Sequence, residues 1–357
     1  MQTSFGEIAP AVDHNQLTRI IKQCVTGHQP LMVWGLPGLG KTDNVWDTMT
    51  ALQYNVIVVY ASDYDAVDSK GMPYNNNGVT SYARPPWFPS VGCGKVVIFL
   101  DEIVQAPQPV QVCFSRLAKE GVIGDLTLPN GDGDECIVIA AGNQHTARAG
   151  SHRMPTHLAD RFAHCELVPN RDLFIDWARS HDIDERVPAF LQFKPDCFYD
   201  FDAKRQEYAY PTARSWAKVS DLISDLASDD VSMLELTVGA KVGQGVGRDF
   251  ASFCATLDSI PDATAIALGQ GQADVPENLG LLYTLTVALA RRTVDDASAE
   301  NIWAYLTNVP EEFQIFWLKD CEALLANPNV EYDYDLSQAP VFAEIAQRLA
   351  GALGITS

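Results

Sequence analysis

Short, continuous apolar runs alternate with amphipathic segments through the first half of the chain. Residues 31–34, 56–60, 96–100 and 137–140 form such apolar runs with the length of a buried strand, and residues 164–167 are predicted as a further strand. The four apolar runs lack polar–apolar alternation, which is typical of parallel strands covered on both faces. Segments of helical periodicity separate them, and one of these, 109–119, begins with a proline that suits a first helical turn. This alternation predicts an α/β domain with a parallel sheet.

The pattern changes after residue 169, where strand-like runs give way to helical periodicity. Predicted helices occupy residues 172–180, 212–226, 233–242, 247–257, 279–292, 299–308, 311–326 and 341–353. The Tyr-, Pro- and Asp-rich connection 196–211 is compatible with a small hairpin. Because 357 residues exceed one comfortable core, we expect an α/β domain at 1–169, a helical subdomain at 170–229 and a helical C-terminal region at 230–357.

The charge balance disfavours one class of partner. Acidic side chains outnumber basic ones by 46 to 25, which gives a formal net charge of −21. That average field repels a phosphate backbone, and no run of Lys and Arg supplies a localised basic patch. We therefore expect no nucleic-acid partner.

The cysteines and histidines show no ligand pattern. The eight cysteines are scattered without a Cys-x-x-Cys pair, and several, such as Cys136, lie in apolar runs. Scattered buried thiols indicate a reducing compartment and argue against structural metal and disulfides. Four histidines and one cysteine cluster in sequence, but their spacings match no zinc site: His145, His152, His157, His164 and Cys165. We interpret these histidines as surface or internally satisfied side chains.

The chain shows no targeting or membrane segment. Its first twenty residues have no basic stretch followed by an apolar one, as a signal peptide would. Its apolar runs are far shorter than a bilayer span. We expect a cytoplasmic protein without a membrane partner.

A phosphate-binding motif directly follows the first strand-like run. The pattern G-x-x-x-x-G-K-[ST] is formed by Gly35, Leu36, Pro37, Gly38, Leu39, Gly40, Lys41 and Thr42. The glycines allow successive backbone N–H groups to turn toward a β-phosphate, and the N-terminus of the following helix favours an anion. We predict that Lys41 reaches the β- and γ-phosphates of ATP and that the Thr42 hydroxyl binds Mg²⁺. The alternative is an ordinary turn.

Two adjacent carboxylates end the strand-like run 96–100. Placed beside the phosphate-loop strand, Asp101 would hold the Mg²⁺ shell, and Glu102 would polarise or position a water that attacks the γ-phosphate. The alternative is a strand that stops at an acidic turn.

Three further polar residues follow in an order that suits nucleotide chemistry. Asn143 follows the run 137–140, where it could contact the γ-phosphate, although such an Asn is often a turn residue. Arg161, just before 164–167, could project from the subunit edge into a neighbour's site, and the alternative is a salt bridge with Asp160 or Glu166. Arg148 and Arg153 are rivals for that role. Arg214 opens a predicted helix and could contact the γ-phosphate in its own subunit, or be an ordinary surface Arg.

This order of motifs resembles that of the AAA+ ATPases, and the chain is similar to their MoxR-like group of bacterial and phage-encoded type. The resemblance covers about residues 12–228. Residues 100–107 resemble the group's L-D-E-x-x-x-A-P, 65–89 its insert in the second helix, 120–131 its hairpin before the sensor, and 141–143 its sensor motif. Gln144 departs from the pattern, because a proline often follows the sensor Asn.

The resemblance implies a P-loop NTPase sheet followed by a helical lid, a hexameric ring with ATP and Mg²⁺ at subunit interfaces, and a protein client. Such ATPases frequently act with a partner that carries a von Willebrand factor A domain. Arg161 would act in trans, and Asn143 and Arg214 would be sensors. Side chains on the insert loops that could contact the client, or pack against their own subunit, are Tyr74, Tyr82, Val122 and Ile123.

Three other functions remain open from the sequence. A P-loop kinase for a small molecule would explain the loop but leave Asp101, Glu102 and the later arginines without a role. A nucleotide-switched assembly scaffold would bind ATP and turn it over negligibly, which an intact Glu102 argues against. A DNA-remodelling ATPase is disfavoured by the net charge.

Overall fold

The computed structural model describes residues 9–143, 154–202, 205, 207–256, 261–270, 274–326 and 332–353. The chain forms two compact units, one of Met1–Asn170 with Phe201–Glu207 and one of Arg171–Asp200 with Tyr208–Ser357. Among the described helices, none combines the length and the apolar character needed to cross a bilayer. The three-part domain division stays a prediction.

The first unit alternates strands and helices as the apolar pattern predicts. Its elements are β1 (Ala11–Val12), α1 (His14–Thr26), β2 (Leu31–Gly35), α2 (Lys41–Ala51), β3 (Asn55–Tyr60), β4 (Pro73–Asn76), β5 (Val79–Tyr82), β6 (Lys95–Asp101), α3 (Gln108–Glu120), β7 (Val122–Ile123), β8 (Leu126–Thr127), β9 (Glu135–Gly142), α4 (Thr156–Ala159) and β10 (Ala163–Leu167). All five predicted strands are present, each within two residues of its expected bounds.

Six of these strands form one parallel sheet in the order β1-β10-β2-β9-β6-β3. The prediction of a parallel α/β sheet is confirmed. The expectation that the strand ending at Asp101 lies beside the phosphate-loop strand is wrong, because β9 lies between β6 and β2. Sequence order does not reveal this crossover, since any strand arrangement would give the same apolar runs.

Both faces of the sheet are covered, so the middle residues of β6 and β9 are apolar at successive positions. One face of β6 presents Val96, Ile98 and Leu100 to a core that also contains residues of α3. The alternate residues Val97 and Phe99 are also fully buried and point to the other face, since strand side chains alternate. This double burial explains the continuous apolar runs.

Two antiparallel hairpins project from the first unit. β4 pairs with β5 in the segment between β3 and β6, and β7 pairs with β8 after α3. Gly71 and Ala83 flank the first hairpin, before β4 and after β5. Gly71 has φ +93°, and a Cβ there would lie 1.8 Å from the Ala83 carbonyl oxygen. Only glycine fits this position. Both hairpins fall where the sequence predicts loop insertions.

The second unit is helical among its described residues. Its helices are α5 (Arg171–Arg179), α6 (Arg186–Phe193), α7 (Ala213–Ile223), α8 (Val231–Val242), α9 (Gln244–Ala255), α10 (Ala263–Ala267), α11 (Leu279–Arg291), α12 (Asp296–Leu306), α13 (Glu311–Ala326) and α14 (Phe342–Leu353). The eight predicted helices are confirmed. Helices α6 and α10 were not predicted, because they are short, with 8 and 5 residues, and give little helical periodicity.

A hairpin within 196–211 is not found among the described residues of that segment, which contain a short 3₁₀ turn and irregular chain. Its Pro and Asp content therefore reflects turns. The unit has one continuous core that includes the fully buried Trp216, Phe250 and Trp317. Helices α8 and α9 pack closely at Gly239 and Gly247, where a Cβ on Gly247 would lie 2.5 Å from the Gly239 nitrogen.

Candidate functional site

The phosphate loop joins the carboxyl end of β2 to the N-terminus of α2. Gly38 and Gly40 adopt left-handed conformations with φ of +74° and +78°, which L side chains rarely adopt. A Cβ on Gly40 would meet no atom closer than 3.8 Å, so backbone conformation rather than space requires glycine there. Leu36 and Leu39 are buried and anchor the loop in the core.

Helix α2 begins at Lys41 with no side-chain cap on its first amides. An uncapped helix N-terminus presents backbone N–H groups and a partial positive charge, which together favour a phosphate. The Lys41 side chain is only 9% exposed, and its ammonium group donates to the carbonyl oxygens of Gly35 and Leu36, each at 3.0 Å. A buried ammonium is therefore held over the glycine loop.

Thr42 and Asp101 converge although 59 residues separate them. The Thr42 Oγ1 donates to Asp101 Oδ2 at 2.9 Å. The other carboxylate oxygen, Oδ1, accepts from the Glu102 backbone N–H at 2.9 Å. The two residues predicted to bind Mg²⁺ are thus in direct contact, even though β2 and β6 are not neighbours.

Glu102 occupies an unusual backbone conformation at the end of β6. Its φ is +56°, a region that non-glycine residues rarely adopt and that costs of order 1 kcal/mol. The turn is held by a hydrogen bond from the Ile103 N–H to the Ala141 carbonyl oxygen of β9 at 3.1 Å. Strained backbone at a carboxylate beside a phosphate loop suggests that the position of the side chain matters more than local stability.

Ser62 is a site residue that the sequence analysis missed. Its hydroxyl donates to Glu102 Oε2 at 3.1 Å. Ser62 follows β3, the neighbour of β6, so it lies at the same edge of the sheet as Glu102. The available signal was its place after a strand of a parallel sheet, because the carboxyl ends of parallel strands share one edge. The hydrogen bond fixes one of the two carboxylate oxygens.

Asn143 completes the group at this edge. It directly follows β9, and its Oδ1 accepts a hydrogen bond from the Lys41 ammonium at 3.0 Å. Because β9 lies between β2 and β6, Asn143 is placed between the phosphate loop and the two carboxylates. The predicted sensor residue therefore contacts the predicted phosphate-binding lysine.

The oxygen atoms at this edge fit a magnesium ion bound together with a nucleoside triphosphate. Within the described ranges, no group of three or more His, Cys, Asp or Glu side chains could hold a metal ion by itself. Mg²⁺ in nucleotide sites takes one or two protein ligands and obtains the others from phosphates and water. The hydroxyl of Thr42 and the carboxylate of Asp101 are a donor set of that kind.

Arg161 lies at the opposite edge of the sheet from the phosphate loop. It follows α4 and precedes β10, whose first residue Ala163 pairs with Leu31 and whose last residue Leu167 pairs with Gly35. Arg161 is thus separated from its own phosphate loop by about 16 Å or more along the strands. Its guanidinium donates to Ser115 Oγ at 2.9 Å, and the alternative, a salt bridge with Asp160 or Glu166, is not found among the described residues.

His164 ties the turn that carries Arg161 to the phosphate-loop strand. Trp34 in β2 donates through Nε1 to His164 Nδ1 at 2.9 Å. Nδ1 is therefore the unprotonated nitrogen, so Nε2–H donates to the Ala159 carbonyl oxygen at 2.7 Å. The expectation of an internally satisfied histidine is confirmed for His164, whereas the described structure does not include the side chains of His145, His152 and His157.

Arg214 belongs to the second unit, where it is the second residue of α7. Its side chain is exposed. The Thr212 side chain caps this helix by accepting from the Ser215 N–H at 3.0 Å. A cation in the first turn of a helix is disfavoured by the helix dipole, so helix stability does not explain Arg214. Arg148 and Arg153, the rival trans arginines, lie outside the described residues.

The candidate client contacts divide into exposed and buried side chains. Tyr74 in the first hairpin is 51% exposed. Tyr82 and Val122 are half-buried. Ile123 is 1% exposed and belongs to the core of the first unit, so the alternative of packing within its own subunit holds for this residue.

No model of a known protein family matches the chain, and no curated protein matches it. Similar solved structures include NtrX from Brucella abortus, 13% identical over 88% of this chain and 69% of that one, with a TM-score of 0.38. A mutant RuvB from Thermotoga maritima is 12% identical over 85% of both chains, with a TM-score of 0.38. NtrX in complex with ATP is 12% identical over 96% of this chain and 68% of that one, with a TM-score of 0.39. Likenesses this low carry no functional argument, so the interpretation depends on the geometry of the site.

Proposed function

We propose that the chain binds ATP with Mg²⁺ at the Gly35–Thr42 loop and hydrolyses the γ-phosphate. One observation carries this proposal. Thr42 contacts Asp101, and Lys41 contacts Asn143, so segments separated by 59 and 102 residues converge on one glycine loop. A bare turn explains neither contact. A phosphate-binding site explains both, because each of these side chains has a role around a triphosphate.

Each residue at this edge supports a distinct step. The backbone amides of the loop and the N-terminus of α2 would hold the phosphates, and Lys41 would neutralise the charge that develops on them. The bound Mg²⁺ would supply Lewis-acid activation of the γ-phosphate. Glu102 would orient and deprotonate the attacking water, while Ser62 would hold the carboxylate at one oxygen. Asn143 would contact the γ-phosphate next to the Lys41 ammonium and so act as a sensor of that phosphate.

We further propose that Arg161 completes the site of a neighbouring copy of this chain. The sheet register supports this role, since Arg161 lies at the edge opposite its own phosphate loop and cannot reach it. An arginine supplied in trans stabilises the negative charge of the transition state. A closed ring of copies gives every site such a neighbour. We propose a hexamer on the resemblance of the sequence to AAA+ ATPases.

The remaining parts of the proposal concern partners. We propose a MoxR-like ATPase that remodels or activates a protein client in the cytoplasm, together with a partner that carries a von Willebrand factor A domain. The exposed Tyr74 supports a client contact at the first hairpin. Arg214 would contact the γ-phosphate in its own subunit, which its unfavourable place at a helix N-terminus supports.

The test of hydrolysis uses Glu102→Gln and Lys41→Ala. Gln keeps an oxygen that accepts from Ser62 but cannot take a proton, so we expect ATP binding within about twofold of wild type and a turnover lower by about 10²–10⁴-fold. Lys41→Ala removes the buried ammonium and should lose binding as well. Calorimetry with Mg-ATP measures binding, and phosphate release measures turnover. Unchanged turnover in Glu102→Gln would refute the role of this carboxylate.

The test of the trans arginine uses mixtures of two inactive variants. Arg161→Ala should lose most turnover and keep ATP binding. Mixed one to one with Lys41→Ala, it should recover about a quarter of wild-type turnover, because that fraction of interfaces pairs an intact phosphate loop with an intact arginine. No recovery in mixtures that form the same assembly as the wild type would contradict the trans role.

The same measurements separate the other functions. Phosphate that appears only with a small acceptor would indicate a kinase. ATP-dependent assembly without phosphate release in the wild type would indicate a scaffold, which Glu102 in its strained conformation argues against. Salt-dependent DNA binding would indicate a DNA-remodelling ATPase, against the net charge of −21.

A further inference from the structure

Two thiols meet at the edge of the sheet opposite the phosphate loop. The Sγ atoms of Cys93 and Cys136 are 3.8 Å apart, although 43 residues separate them in sequence. Cys93 precedes β6, and Cys136 is the second residue of β9, where it pairs with Val96. All eight cysteines are free thiols, and these two are both half-buried. A reagent can therefore reach them from solvent.

A specific set of hydrogen bonds holds this pair. Cys93 lies between Gly92 and Gly94, whose N–H groups both donate to the Asp134 carboxylate, at 2.7 and 2.8 Å. Those two hydrogen bonds lower the pKa of Asp134, because they stabilise its charged form. On the other side, the Cys136 N–H donates to Asn130 Oδ1 at 2.8 Å. The Asp134 clamp thus fixes the loop of Cys93 against the start of β9.

The loop is open at the two residues that flank Cys93. Gly92 and Gly94 have φ of +82° and +69°, and a Cβ on either would meet no atom within 4 Å. Backbone conformation rather than crowding therefore requires glycine on both sides. A disulfide has an S–S distance of about 2.05 Å, so the sulfurs must approach by less than 2 Å from their separation of 3.8 Å. Side-chain rotation in an uncrowded loop supplies a movement of this size.

We propose that Cys93 and Cys136 are a redox-active pair that forms a reversible disulfide with a small-molecule disulfide as the oxidant. In the first exchange, Cys93 as thiolate attacks the small disulfide, forms a mixed disulfide and releases one thiol. Cys136 then attacks the Cys93 sulfur and releases the second thiol. Two protein thiols are oxidised, the small disulfide is reduced to two thiols, and the two protons pass to the released thiols.

The chemistry assigns the order of these steps. Burial raises the pKa of the Cys136 thiol to about 12, with further contributions from Cys93, Asp134 and Glu135. Cys136 is therefore the poorer nucleophile toward a dissolved disulfide. Held beside a mixed disulfide on Cys93, it reacts at high effective concentration, which offsets its low thiolate fraction.

The bond would join the amino ends of β6 and β9. Their carboxyl ends hold Asp101 and Asn143, about 20 Å away along the strands. We therefore expect the disulfide to stabilise the first unit without changing nucleotide binding. This inference does not depend on the proposed ATPase activity.

The experiment exposes the full-length protein to oxidised glutathione at neutral pH and identifies the products by mass spectrometry. We expect the intact chain to lose about 2 Da and to yield a peptide pair linked through Cys93 and Cys136. Dithiothreitol should reverse both changes. The oxidised protein should also unfold at a temperature several degrees higher, because the bond closes a long loop.

Two variants and one control test the assignment. Cys93→Ser should abolish the bond, and Asp134→Ala should slow closure severalfold by releasing the clamp. Cys197→Ser removes another half-buried thiol and should leave the linked pair intact. Glutathione retained on Cys93 of the wild type, or a bond between other cysteines, would overturn the proposal. Because the wild-type products are decisive, a variant that fails to fold does not affect the outcome.

Discussion

Asp320 is a buried carboxylate whose ionisation should oppose folding. Asp320 lies in α13, and its side chain is 5% exposed. The Nε atom of Arg179, at the end of α5, is 2.5 Å from Asp320 Oδ1. Neither carboxylate oxygen accepts a well-directed hydrogen bond from a described residue. Burial raises the pKa of Asp320 to about 6, because lost hydration outweighs the attraction of Arg179. Burial alone would lower the pKa of Arg179, but nearby acidic groups, Asp320 first, raise it.

The size of the effect follows from the two pKa values. Asp320 has a reference pKa of 3.8 when unfolded and about 6 when folded. The folded state therefore binds the proton more tightly, so this carboxyl stabilises the fold below about pH 4 and loses that contribution as the pH rises through 6. The full change is about 3 kcal/mol, since each pKa unit corresponds to about 1.4 kcal/mol. Between about pH 4 and pH 7.5 the change is about 2.4 kcal/mol.

The assay compares hydrogen exchange in the wild type and in Asp320→Asn. Peptides that cover α13 report the free energy of local and global opening, and intrinsic exchange rates cancel when both proteins are measured at one pH. Arg179 and Asp320 also line an open pocket of about 50 Å³, so protons reach the carboxyl without unfolding. We expect the wild type to lose about 2 kcal/mol of stability relative to Asp320→Asn between about pH 4 and pH 7.5.

The control is Asp176→Asn, which removes a second carboxylate that contacts Arg179 at 2.5 Å and is 53% exposed. It should keep the direction of the wild-type pH dependence at a smaller size, because Asp320 still titrates but loses the contribution of the Asp176 charge that raises its pKa. A wild type that instead gains stability relative to Asp320→Asn as the pH rises would refute the reasoning. That result would mean that the attraction of Arg179 outweighs burial.

Two further predictions concern helix packing and the candidate site. Gly247→Ala should destabilise the second unit by about 1–3 kcal/mol, because its Cβ would lie 2.5 Å from a backbone atom of α8. Gly239→Ala should be neutral or slightly stabilising, because its Cβ meets nothing closer than 3.4 Å, and equal thermal midpoints would contradict this contrast. Ser62→Ala should lower kcat about tenfold with KM unchanged, since one hydrogen bond to the Glu102 carboxylate is lost. Ser62→Thr should restore kcat, and a change in KM alone would argue against a positioning role.

Local chemistry explains what the sequence determined by itself. Continuous apolar runs identified β2, β3, β6 and β9 of a doubly covered sheet, because burial on both faces disfavours polar side chains. The glycine loop before α2 was recognisable because left-handed positions and a close approach to phosphate both demand glycine. Asp101, Glu102 and Asn143 were found because polar residues at the ends of apolar strands collect at one edge of a parallel sheet.

Only the tertiary structure decided which of these residues touch. Strand β9 lies between β2 and β6. Ser62 donates a hydrogen bond to Glu102, and Arg161 donates one to Ser115. The sulfur atoms of Cys93 and Cys136 are in contact. The burial of Asp320 against Arg179 was equally invisible, since an isolated Asp on a helix reads as a surface residue. The physical reason is common to all of these contacts. Sequence patterns record which face of its own element a residue occupies, whereas partners far along the chain depend on how the elements are ordered and packed.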